Sequence, residues 1–161
     1  MYIVSDQNIQ KQESKGRDIY LQLHPNMSWT TNQDKFGLWD LSGNTSCTSN
    51  RIIKNSNVDM YGEVKVRNLS STSYSTTFLE VKKYYHLMDL ANLTDNGKAF
   101  YFVAFSDATA ALFDLKTIDN IDQYWTKRWM KEVTLEGQTK SVEKEIYDLP
   151  LSLAVKKYKY K

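Results

Sequence analysis

The chain has one cysteine, Cys47, so no intrachain disulfide can form, and a reducing compartment fits. It has two histidines, too few beside a lone cysteine to suggest a zinc site. Proline occurs twice, at Pro25 and Pro150, and each marks a break in local pattern. No apolar run approaches the roughly 18–20 residues that cross a bilayer. The start, Met1 to Asp6, shows no basic region followed by an apolar core, so no secretory signal is expected. A cytoplasmic protein is the expectation. An excess of one charge is also missing: 21 Lys and Arg against 19 Asp and Glu leave a net +2. That balance argues neither for nor against nucleic acid, because binding depends on where charge clusters.

What is present suffices for a core. Hydrophobic residues make up 41% and aromatics 13% of 161 residues, a length that suits one domain over 1–161. Residues 151–161 read as a short helix or basic tail, with Lys156, Lys157, Lys159 and Lys161 alternating with Tyr158 and Tyr160. Four charges without an amphipathic partner are too few to anchor a membrane.

The most informative stretch is Tyr61-Gly62-Glu63-Val64-Lys65-Val66-Arg67-Asn68. Read as a strand, its period of two puts Glu63, Lys65 and Arg67 on one face and the valines on the other. Such a face can simply be solvated. It can also be a Glu-x-Lys pair beside a divalent cation. Glu-Val-Lys recurs at 80–82, but that copy falls on the strongest helical pattern, residues 76–92. There i and i+2 point about 200° apart and cannot converge on one ion.

Around this stretch the chain alternates. Residues 5–23 read as a weak helix interrupted by Gly16, with Glu13 as a solvated carboxylate. His24 and residues 26–34 read as loop, with Trp29 as an anchor. Residues 35–41 read as a strand ending in Asp40, a carboxylate that sits at an exposed strand end, is hydrogen-bonded or holds a cation, since burial unpaired is costly. Residues 42–57 read as a long polar turn. After the 76–92 helix, Asn96-Gly97 turns the chain. The apolar run 98–106 suits a strand buried on both faces, and 109–115 returns beside it as a hairpin. Residues 117–132 suggest a short helix and then the basic, aromatic stretch 127–131. That stretch is either a nucleic-acid surface or a solvated face with a buried Trp. Residues 141–149 read as an edge strand.

The order is therefore helix, strand with terminal Asp, strand with Glu-x-Lys, helix, apolar strand, returning strand. Over about residues 35–116 it resembles the PD-(D/E)xK nuclease superfamily, and more narrowly its small phage-type or resolvase-like members. The resemblance implies an α/β fold of restriction-endonuclease-like type, a central mixed sheet flanked by helices. It implies a Mg²⁺- or Mn²⁺-dependent endonuclease hydrolysing phosphodiester bonds in DNA. Asp40, Glu63 and the main-chain carbonyl of Val64 would hold the ion, and Lys65 would act at the attacking water. Arg67, Lys83, Lys127 and Arg128 would contact nucleic acid. Selective cutting of junctions or flaps would need a homodimer. Replacing Glu63 or Lys65 by Ala is expected to abolish cleavage and leave folding intact. Trp39 stands where a proline often precedes the acid, and the 23-residue gap from Asp40 to Glu63 is long. Asp59 is a rival first acid, but it would share a strand with Glu63. The alternative is a non-catalytic nucleic-acid-binding or structural protein on the same fold.

Overall fold

The central strand is the most apolar one, as expected of a strand buried on both faces. The structure is a computed structural model describing residues 3–25, 28–31, 40–44, 59–132 and 140–161. In chain order the elements are α1 (Ile3–Leu23), β1 (Ser28–Thr31), β2 (Leu41–Asn44), β3 (Met60–Arg67), β4 (Thr76–Glu80), α2 (Val81–Ala91), β5 (Lys98–Phe105), β6 (Thr109–Asp114), β7 (Trp125–Lys131), β8 (Ser141–Pro150) and β9 (Lys156–Lys159). Ala99 to Phe105 of β5 are all buried. Pairing on both sides satisfies the main-chain polar groups of a strand so placed. β5 runs parallel to β3 and antiparallel to β6.

The six-stranded mixed sheet has the order β1-β2-β3-β5-β6-β9, and a three-stranded antiparallel sheet has the order β4-β8-β7. A parallel step from β3 to β5 needs a crossover, which β4 and α2 provide. Among the described residues this is an α/β architecture with a mixed sheet and two α-helices. One apolar cluster joins the two sheets: Tyr101 and Phe113 from the first, Leu79, Tyr147 and Leu149 from the second, Leu87 from α2. Each such side chain contributes about 1.5–3 kcal/mol on full burial. A second cluster joins Val64, Phe100 and Phe102 to Ile19 and Tyr20 of α1. Gly16 lets α1 approach β3: a Cβ there would lie 2.8 Å from Val64 Cγ1. The residue that weakens the helix by propensity is the one its packing requires.

Several expectations change. Residues 42–44, read as turn, belong to β2, where Ser42 and Gly43 pair with Tyr61 and Met60 of β3. Residues 28–31, read as loop, pair with β2. Residues 35–39 lie outside the described part, as do 45–58. Residues 76–80 are strand rather than the first turns of a helix: Thr77 and Leu79 are buried in alternation and pair with β8. In place of a helix within 117–132 there are two short 3-10 turns, Leu115–Thr117 and Ile121–Tyr124, followed by β7. β8 is the middle of its sheet rather than an edge. The basic tail contains a strand, β9, whose Tyr158 packs on the α1 cluster while Lys157 and Lys159 stay exposed.

Candidate active site

The site forms where β2 and β3 run side by side. Leu41 faces Gly62 in that ladder, and the Asp40 N–H donates to the Gly62 carbonyl at 2.7 Å. The register therefore sets Asp40 against Glu63. Asp40 is buried, and both of its oxygens are engaged. Oδ2 accepts from the Val64 N–H at 2.7 Å, and Oδ1 faces the Arg17 guanidinium of α1 at 3.3 Å. Of the three states the sequence left open for this acid, it takes the hydrogen-bonded one.

Glu63 is 0% exposed. Its Oε1 receives the Lys65 ammonium at 2.8 Å and the Lys83 ammonium from α2. Its Oε2 is buried and makes no hydrogen bond among the described residues. A buried carboxylate persists only when compensated, and here the compensation comes from the same strand and from the next helix. Lys65 reaches Oε1 because strand residues i and i+2 share a face. Lys83 reaches it because β4 hands the chain to α2 at Glu80 and Val81, so that the first turn of the helix lies over β3.

The electrostatics follow from this packing. Burial pushes the Asp40 carboxyl above its usual range, and the neighbouring Glu63 charge adds to that. The Lys65 charge and the Val64 N–H oppose the shift. Burial also pushes Glu63 upward, but the charges and hydrogen bonds of Lys65 and Lys83 outweigh it and hold the carboxyl below its usual range. Lys65 is raised, chiefly by Glu63, against the effect of its own burial. The two acids are thus driven apart, and Lys65 is held as an ammonium. Two carboxylates face three cations, Arg17, Lys65 and Lys83, which leaves the cluster with a net positive charge.

Asp40, Glu63 and Lys65 are brought together, and Lys83 joins them as a direct partner of Glu63. Arg17 was missed: it is 23 residues from its partner in sequence, and no spacing points to it. Asp59 precedes β3, its N–H on the Gly43 carbonyl at 3.2 Å. Four residues of strand put it about 13 Å from Glu63. Arg67 is held elsewhere. Its guanidinium donates to the Phe78 carbonyl at 3.2 Å and lies over the Phe78 ring at 4.1 Å. Lys127 and Arg128 belong to β7 in the second sheet, paired with Glu143 at 3.4 Å and Asp148 at 2.6 Å.

The donor set suits a small hard cation. Two carboxylates, one just before β2 and one on β3, supply oxygen ligands of the kind Mg²⁺ takes while retaining several waters. The unpartnered Oε2 of Glu63 is the free lone-pair donor in the cluster. Among the described residues no three His, Cys, Asp or Glu side chains group together, so any such ion would rest on two acids, main chain and water. None of the described helices is long and apolar enough to cross a membrane. Comparison of the chain with protein-family models, with curated proteins and with solved structures finds no match.

Proposed function

We propose that this protein is a divalent-cation-dependent nuclease of restriction-endonuclease-like type, hydrolysing phosphodiester bonds in DNA. The observation that carries the reading is the convergence of Asp40 from the start of one strand with Glu63 and Lys65 from the next. The succession α1, β2, β3, α2, β5, β6 supports the reading, with β1 and β4 added to the order of the resemblance. A Mg²⁺ or Mn²⁺ ion held by Asp40 and Glu63 would supply Lewis acidity to the phosphoryl oxygen and a lowered pKa to bound water. Lys65, kept protonated by Glu63, donates hydrogen bonds to the attacking water or to phosphoryl oxygens that gain charge. Lys83 supplies a second cation on the same carboxylate and can move to a phosphate oxygen without leaving the site uncompensated, because Lys65 remains. Arg17 holds Asp40 from behind, fixing the direction of its free lone pairs.

Incubation with single-stranded, duplex, flap and four-way DNA in Mg²⁺ or Mn²⁺ tests this reading. Native protein cleaves at least one substrate, and Glu63→Gln and Asp40→Asn cleave none. Gln and Asn keep the volume of the buried groups, so a folded, inactive variant isolates the charge. If native protein cleaves nothing and calorimetry detects no Mg²⁺ or Mn²⁺ binding, the non-catalytic alternative stands.

A further inference from the structure

β7 carries a second pattern, separate from the acids. Its residues Trp125, Lys127, Trp129 and Lys131 fall on one face by the period of two, and all four are exposed. Trp129 is 74% exposed and Trp125 45%. A Trp kept in water needs a reason, because indole is normally among the most buried side chains on average. The buried Trp that would have made this stretch an ordinary solvated face is not there.

Position and charge narrow the occupant. β7 is the outer strand of its sheet, paired with β8 alone among the described residues. The strand holds Lys127, Arg128 and Lys131 and no acid. The acids of this face, Glu143 and Glu145, belong to β8, one strand further in. The Lys127 to Glu143 pair is half-exposed, of the kind that contributes little and exchanges readily. A second copy pairing edge to edge would set three cations against three, the arrangement by which edge strands resist self-association. A polyanion with flat apolar faces meets the same edge favourably.

We propose that β7 is a stacking platform for an unpaired nucleic-acid strand, with Trp125 and Trp129 taking bases and Lys127 and Lys131 the phosphates between them. Every base has a π-face, so such a platform tolerates sequence and excludes paired duplex, whose bases are already stacked. Trp125 also lines a cavity of about 450 Å³ with Glu145 and Tyr147 of β8, Asp122, and Val81 and Tyr85 of α2. Lys83, the partner of Glu63, is two residues from each of those α2 residues and so lies on another side of the helix; the platform is a surface separate from the acids. As the feature that selects a substrate, the platform rests on the nuclease reading. As a binding surface it stands without it.

Binding is measured in EDTA, where no cleavage intervenes, by anisotropy of labelled oligothymidylate, oligouridylate and a blunt duplex. The native protein binds the single strands more tightly than the duplex, with affinity that falls as salt rises. Trp129→Ala weakens single-strand binding about tenfold, the size of one lost base stack, and Trp129→Phe recovers most of it. Both variants melt with the native protein, since Trp129 is exposed. Comparison of the two oligonucleotides decides between DNA and RNA as the strand taken. Equal affinity of Trp129→Ala and native protein overturns the proposal. So does a concentration-dependent dimer, seen by sedimentation, that Trp129→Ala abolishes. Binding that depends on Trp129 in a protein that cleaves nothing sinks the nuclease reading alone. Cleavage unaffected by Trp129→Ala on every substrate sinks the platform alone.

Discussion

Glu63 shows how far one residue's role can be read before its surroundings are known. The Glu-x-Lys alternation was legible because the strand period is short-range and places Lys65 beside it without tertiary information. Full burial was not, because it depends on α2 returning over β3 with Lys83. The consequence is a revision. Truncating Glu63 to Ala does not leave folding untouched, since it strands Lys65 and Lys83 against a buried wall. Removing one partner of a fully buried pair costs about 3–5 kcal/mol. Lys65 and Lys83 are 36% and 20% exposed, so Glu63→Ala is expected to cost about 1–3 kcal/mol by urea unfolding. Glu63→Gln should cost less.

The two acids also give opposite pH dependences. Asp40 has a folded-state pKa above its unfolded one, so the native state holds the proton more tightly. Its part of the stability is therefore fully present below the unfolded value and falls as pH rises through the raised folded value. Glu63 is depressed: its part is present above the unfolded value and is lost as pH falls through the folded one. Asp40→Asn should abolish the downward slope above the ordinary carboxylate range and keep the acid limb. Unfolding across a pH series checks this, and an unchanged slope in Asp40→Asn contradicts the burial assigned to that carboxyl.

At the scale of elements, local pattern was reliable where an element's partners are near in sequence. The β5 and β6 hairpin was legible because its turn and its apolar run are contiguous. β4 was not. Phe78, Val81 and Tyr84 fit a helical stripe as well as Thr77 and Leu79 fit a strand, and the strand that decides the matter, β8, lies about seventy residues away in sequence. β9 was hidden in the same way: Lys and Tyr alternate with period two, but only its place beside β6 makes it a strand.

His24 ties that late strand to the first helix. Its Nε2 meets the Tyr158 hydroxyl at 2.9 Å, and Nδ1 meets the Tyr20 carbonyl at 2.9 Å. Burial lowers its pKa, against the Tyr20 carbonyl and with the help of Lys156. A histidine lowered on folding contributes stability above its unfolded value that is lost as pH falls through the histidine range. Protonation therefore loosens β9 from α1. His24→Phe, which keeps a ring on Tyr20, should flatten stability across that range, as read by urea midpoints from mildly acidic to neutral pH.

For the molecule as a whole, the succession α1, β3, α2, β5, β6 was in the sequence, whereas β1, β4, β7, β9 and the division into two sheets were not. That division is what separates the charge. One surplus cation sits at the acids, and β7 carries three cations, of which Lys127 and Arg128 are paired with Glu143 and Asp148 of β8. On the nuclease reading, a nearly neutral protein so arranged would bind a polyanion through local fields. In metal-free buffer Glu63 would then compete with phosphate for Lys65 and Lys83. Converting it to Gln releases both ammoniums, and DNA affinity should rise. The slope of log affinity against log salt should steepen by about one per phosphate newly neutralised. Lys83→Met should make the slope shallower by a similar step. Titration of labelled DNA over a salt series in EDTA reads both. If Glu63→Gln binds no more tightly than native protein, the ammoniums around Glu63 do not face the ligand. The positive cluster would then serve only to compensate a buried acid.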